Sequence, residues 1–125
     1  MRTLFVAYLL ALTVLLLSRA PRYVIGFDLG LLDNLDWLAH LISFLILALL
    51  ALAADWRWPW WLVFLVLLVY SGSTELLQRF VLGRTPQWSD WFCDLAGIVL
   101  GAAIWELAAR RRERIKTADH PTQPA

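Results

Sequence analysis

The sequence predicts an all-α protein, a four-helix transmembrane bundle with both termini in the cytoplasm. Three observations carry that reading. The chain has only 125 residues yet is 61% apolar, with a mean hydropathy of +0.65, whereas soluble proteins are about 45–50% apolar. A domain this small has too little interior to hide that surface, so lipid must be the solvent for much of it. The apolar residues gather into four segments. Finally, five of the eleven basic residues fall between Arg110 and Lys116, which marks one end of the last segment.

The predicted helices span about residues 4–18, 37–54, 59–80 and 90–109. A spanning helix needs about 20 mostly apolar residues; the last three segments reach this with their polar ends, and the first is short. Arg2 and the triplet Ser18-Arg19-Ala20 resemble a signal peptide and its cleavage site. Arg19 inside that site, and Pro21 directly after it, argue for a retained helix instead. The connection 18–35 carries Pro21, Gly26 and Gly30, and its apolar stretch 23–32 suits the membrane interface. Residues 55–58 form a tight turn, and Pro59 suits the first turn of the third helix. Gly83 and Pro86 mark the loop 81–89. The membrane unit is assigned to 1–116, and the polar residues 117–125 to a disordered cytoplasmic tail.

Orientation follows from Lys and Arg near the helix ends. With cytoplasmic termini, the inside carries Arg2, Arg57, Arg110, Arg111, Arg112, Arg114 and Lys116, and the outside Arg19, Arg22, Arg79 and Arg84. The tryptophans respect the same borders. Trp37, Trp88 and Trp91 lie at outer ends; Trp56, Trp58, Trp60, Trp61 and Trp105 lie at inner ends. Indole rings favour headgroup depth. The protein is thus expected in the cytoplasmic (inner) membrane as a multi-pass protein. The run Arg110–Arg114 is read as a topology anchor beside anionic lipid rather than a nucleic-acid contact.

Six of the ten carboxylates (Asp28, Asp33, Asp36, Glu75, Asp90, Asp94) sit at or beyond the outer ends, with His40 and Gln78. Ionisable groups in a membrane are costly and mark sites. Asp36 and His40 are four apart, hence on one helix face. Ser71, Glu75 and Gln78 form a second stripe. Asp90 and Asp94 continue through Gly97 and Gly101 within roughly 60° of one another. The three stripes are expected to turn inward and line one shallow pocket. Glu75 lies sixteen residues past Pro59, about 24 Å up a helix, in the outer part of the roughly 30 Å hydrocarbon layer. Gly97-Ile-Val-Leu-Gly101 is a GxxxG pattern that admits a close neighbour, either the second helix or the third. Arg84 lies above the pocket and suits an anionic group. Arg79 either pairs with Glu75 along the helix or snorkels to the interface. Glu106 most simply pairs with Arg110. Cys93 is the sole cysteine, so it forms no intrachain disulfide, and it sits one position off the aspartate stripe.

These words, in this order, resemble the VanZ-like family, named for a teicoplanin-resistance protein. They are Asp36-Trp-Leu-Ala-His40, Glu75-Leu-Leu-Gln78, Gly83-Arg84, and Asp90-Trp-Phe-Cys-Asp94-Leu-Ala-Gly97 with Gly101. The resemblance covers residues 33 to 105. Trp37 stands where the family usually has Lys, and Asp94 where it usually has Asn, so the site is more anionic here. The resemblance implies a role at the bacterial cell envelope and in antibiotic resistance, and implies no particular reaction.

Three functions fit. In the first, the outer pocket of Asp36, His40, Glu75, Gln78, Arg84, Asp90 and Asp94 binds an envelope lipid, a lipid-linked precursor or a lipophilic glycopeptide. In the second, the protein is an intramembrane hydrolase or transferase on a lipid-linked phosphate. His40, which titrates near neutrality and is oriented by Asp36, is then the acid or base, and carboxylate oxygens suit a divalent cation. In the third, the polar groups only satisfy one another and fix the bundle's register. No nucleophile motif and no metal-ligand motif appears, and no cofactor is specified. The inner half offers almost no polar lining beyond Tyr70 and Glu106, which disfavours a channel.

Overall fold

The computed structural model describes residues 1–17, 23–24, 27–28, 36–81 and 88–119. Four helices dominate: α1 (Arg2–Leu17), α2 (Asp36–Ala53), α3 (Trp60–Gln78) and α4 (Trp88–Asp119). The connection between α1 and α2 holds a two-residue antiparallel ladder, β1 (Tyr23–Val24) and β2 (Phe27–Asp28), pairing Tyr23 with Asp28 and Val24 with Phe27. The first three helices match the expected segments to within two residues.

The fourth does not. It runs ten residues past the predicted end at 109, through the basic run to Asp119, so residues 117–119 are helical rather than part of a disordered tail. Ala108, Ala109, the arginines, Glu113 and Lys116 all favour helix. Glu106 and Arg110 add an i,i+4 pair at 2.9 Å, and Thr117 bonds back to the Glu113 and Arg114 carbonyls. Residues 120–125 lie outside the described residues.

At 1.5 Å per residue, α1 to α4 measure about 24, 27, 28 and 48 Å. Among the described residues, α3 and the Trp88–Ala118 part of α4 are long and apolar enough to cross a membrane; α1 and α2 are shorter apolar helices.

Inter-helix contacts fix the up-down-up-down order. Arg2 reaches the Ala54 and Asp55 carbonyls, and Tyr8 donates to the Ser43 carbonyl, so α1 runs antiparallel to α2. Thr13 meets Tyr70 at 2.9 Å and Gln78 reaches the Leu16 carbonyl, so α1 and α3 run in the same direction. The closest pair is α2 with α4, also parallel. A methyl group on Gly97 would strike the Leu41 carbonyl, and one on Gly101 would lie 2.8 Å from Ala48 Cβ and 2.9 Å from the Leu45 carbonyl. The glycines therefore serve the second helix, the choice that spacing alone left open. The core follows this seam: Phe44, Leu47, Ala48 and Ala51 of α2 meet Ile98 of α4, Val63 and Leu67 of α3, and Leu12 and Leu16 of α1. Two tight ends result. One carries Leu16, His40, Gln78 and Asp90; the other carries Arg2, Ala54, Trp60 and Glu106.

Candidate functional site

The polar stripes of α2, α3 and α4 meet where the geometry of the close α2–α4 pair directs them. With Gly97 against Leu41, the residues one turn earlier, Asp94 and His40, are brought face to face. His40 Nδ1 lies 2.8 Å from Asp94 Oδ1. Ser71 of α3 donates its Oγ hydrogen to the other oxygen, Asp94 Oδ2, at 3.0 Å. Asp94 therefore binds three helices together, and it is only 1% exposed. A carboxylate at that burial requires donors on both oxygens, and it has them. His40 Nε2 points to Asp90 Oδ2 at 4.0 Å. Asp90 is more open than Asp94, lies in the first turn of α4 where a negative charge is favoured, and accepts from the Ser89 hydroxyl at 3.2 Å.

The imidazole is thus set between two carboxylates of one helix. With Asp94 ionised, the Nδ1 hydrogen is donated to it and Nε2 is the basic nitrogen, on the Asp90 side. A carboxylate behind an imidazole holds the ring's tautomer and orientation. Asp94, fifty-four positions away, is thus a carboxylate that orients the ring; the i,i+4 spacing also offered Asp36. Asp36 opens α2, and its side chain lies outside the described residues, as do Asp28's side chain, Asp33 and Arg84.

Glu75 and Gln78 are both buried on α3, at the same end. Gln78 has a partner on the first helix. Its Nε2 donates to the Leu16 carbonyl at 3.2 Å, which ties the end of α3 to the end of α1. Thr74 likewise turns back to the Ser71 carbonyl at 2.8 Å. Arg79 does not fold back on Glu75; its guanidinium lies over the Trp88 ring, 5.8 Å from the centroid, a stacking that joins the ends of α3 and α4. Cys93 is half-buried.

Two contacts carried little or no signal in the sequence. Ser71 stood on the Glu75 stripe, but its role as an Asp94 donor depends on how α3 is rotated. The Thr13–Tyr70 pair left no linear signal, because its members are fifty-seven positions apart. Among the described residues, no buried side-chain nitrogen or oxygen lacks a partner, and no group of three or more candidate ligands is disposed to hold a metal ion. His40 of α2 and Ser71 of α3 both bond to Asp94 of α4. A cavity is present at the opposite end of the bundle, between α2, α3 and α4.

The comparisons with known proteins follow the same residues. The family model described as VanZ/LLP1 matches residues 4–109, from the first turn of α1 to the edge of the basic run. No curated protein and no solved structure gives a match.

Proposed function

The chain belongs to the VanZ/LLP1 family, and from that premise we propose a role for it in the bacterial cell envelope. In this reading it is a multi-pass protein of the cytoplasmic membrane, crossing four times with both termini inside. The cluster of His40, Glu75, Asp90 and Asp94 then faces the exoplasmic surface and binds an envelope lipid, a lipid-linked precursor or a lipophilic glycopeptide. The up-down-up-down helix order and the basic extension of α4 support the topology. The observation that carries the reading is the layered burial of the cluster. Asp94 and Ser71 are sealed and fully engaged, while Asp90 keeps 12% of its side chain open. Asp90 is thus the edge a ligand reaches, and His40 stands directly behind it. Arg84 belongs to the same reading as the group for an anionic ligand.

The test is capture of a lipid-linked cell-wall precursor or a lipoglycopeptide by the purified protein. His40→Gln, Glu75→Gln and Asp90→Asn are expected to abolish capture while folded protein is retained. Full capture by all three, or loss of folded protein in proportion to lost capture, defeats the proposal and leaves the purely structural reading.

The Asp94–His40 pair favours a second reading, an intramembrane hydrolase or transferase acting on a lipid-linked phosphate. A carboxylate on Nδ1 makes Nε2 a better base, and a general base needs this arrangement. His40 then moves the proton, Asp94 holds the ring, and Asp90 or Glu75 supplies the second acid–base group. Release of product from a lipid-linked diphosphate by the wild type, absent in His40→Gln, supports it; no turnover with binding intact returns the first reading.

A further inference from the structure

Along the bundle α4 packs more closely on α2 than on α3, and at the end opposite His40 a cavity of about 180 Å³ opens between the three helices. Leu52, Phe64, Leu67 and Ala102 form its walls, and Trp60, Trp105 and Glu106 stand at the Arg2 end. We propose that this cavity seats one acyl chain of an anionic phospholipid, with the phosphate held by Arg112 and Lys116. This rests on the orientation proposed above, which makes that end the inner leaflet.

The walls are apolar and admit a stretch of a single hydrocarbon chain. The rings of Trp60 and Trp105 mark headgroup depth at its mouth. Beyond the mouth, α4 continues as an exposed helix on which Arg112 and Lys116 prolong the Ile98, Ala102 and Trp105 face. Glu106, at the mouth, is already held by Arg110 at 2.9 Å, so its charge is balanced locally. With Arg110 taken up by Glu106, the last turns of α4 carry Arg111, Arg112, Arg114 and Lys116 against Glu113 and Asp119, a net positive charge. An apolar slot continued by net positive charge matches a lipid with an anionic head.

Native mass spectrometry of the full chain in detergent, titrated with dioleoyl phosphatidylglycerol or dioleoyl phosphatidylcholine, tests this. The anionic lipid is expected to be retained about tenfold more, with Arg112→Gln and Lys116→Gln each lowering its retention about fivefold. Ala102→Phe fills the slot and is expected to abolish the preference, and Leu52→Phe does the same from the opposite wall if the first variant fails to fold. Equal retention of the two lipids, or an undiminished preference in a folded slot-filled variant, overturns the proposal. The readout is lipid retention at the inner end. A negative result leaves the His40 reading standing, and loss of capture at His40 leaves this one standing.

Discussion

The two ends of the bundle are held by different physics. At the His40 end, side chains from different helices bond to one another, and Asp94 alone joins α2, α3 and α4. At the Arg2 end, one guanidinium bonds backbone. Arg2 donates to the Ala54 carbonyl at 3.1 Å and the Asp55 carbonyl at 2.6 Å, and its Cζ lies 5.3 Å from the Trp56 ring centroid. Phe5 packs edge-on to Trp56, which stacks on Trp58. That turn also holds Asp55 at φ 48° and Arg57 at φ 59°, a left-handed conformation costly for non-glycine residues, which the Arg2 bonds help to hold. The contrast teaches that specificity is concentrated at one end. Charges buried in a low-dielectric bundle accept few geometries, so the His40 end locks the helix rotation that the glycine seam sets. Aromatic stacking and backbone capping at the Arg2 end tolerate adjustment.

Substitutions can break this contrast in order of expected effect. Gly97→Ala places a methyl group against the Leu41 carbonyl. Backbone cannot rotate away, so a loss of about 3 kcal/mol is expected, seen as collapse of the thermal unfolding temperature in detergent. Asp94→Ala strands His40 and Ser71 and is expected to cost about 3 kcal/mol. Asp94→Asn keeps the shape and one acceptor, and should cost about 1 kcal/mol; equal losses in the two variants would show that hydrogen bonding at Asp94 is unimportant.

The smaller effects sharpen the comparison. Gln78→Ala removes the donor to the Leu16 carbonyl and is expected to cost about 1.5 kcal/mol. Gln78→Glu does not rescue it, because an ionised carboxylate has no hydrogen to donate. Arg2→Gln is expected to cost about 1 kcal/mol, and limited proteolysis should then open the 55–58 turn before any other described segment. Glu106→Gln breaks an ion pair exposed by 70% and 59% on its two sides, and less than about 0.5 kcal/mol is expected.

Much of the fold was legible because lipid imposes long apolar segments with tryptophan at their borders. Convergence of the polar stripes was legible in the same way: His40 and Asp94 lie on inward stripes because no other face tolerates them. Their partners were not. Which atom meets which depends on helix rotation, set by the glycine seam against Leu41 and Leu45, and no spacing encodes that. The α2–α4 contact brings Asp94 to His40 across fifty-four positions, a partner that no i,i+4 spacing announces. The Gln78 donation to the Leu16 carbonyl was equally hidden, because a helix terminus is brought beside it only in three dimensions. The end of α4 was missed because a charge run reads as leaving the membrane, and leaving the membrane does not end a helix of good formers.

A double-mutant cycle on His40→Ala and Asp94→Ala, followed by reversible unfolding in detergent, most directly tests whether the stripes meet. Residues that bond at 2.8 Å should show a coupling of about 2 kcal/mol. Additive losses, with no coupling, would contradict the union of α2 and α4 at this site.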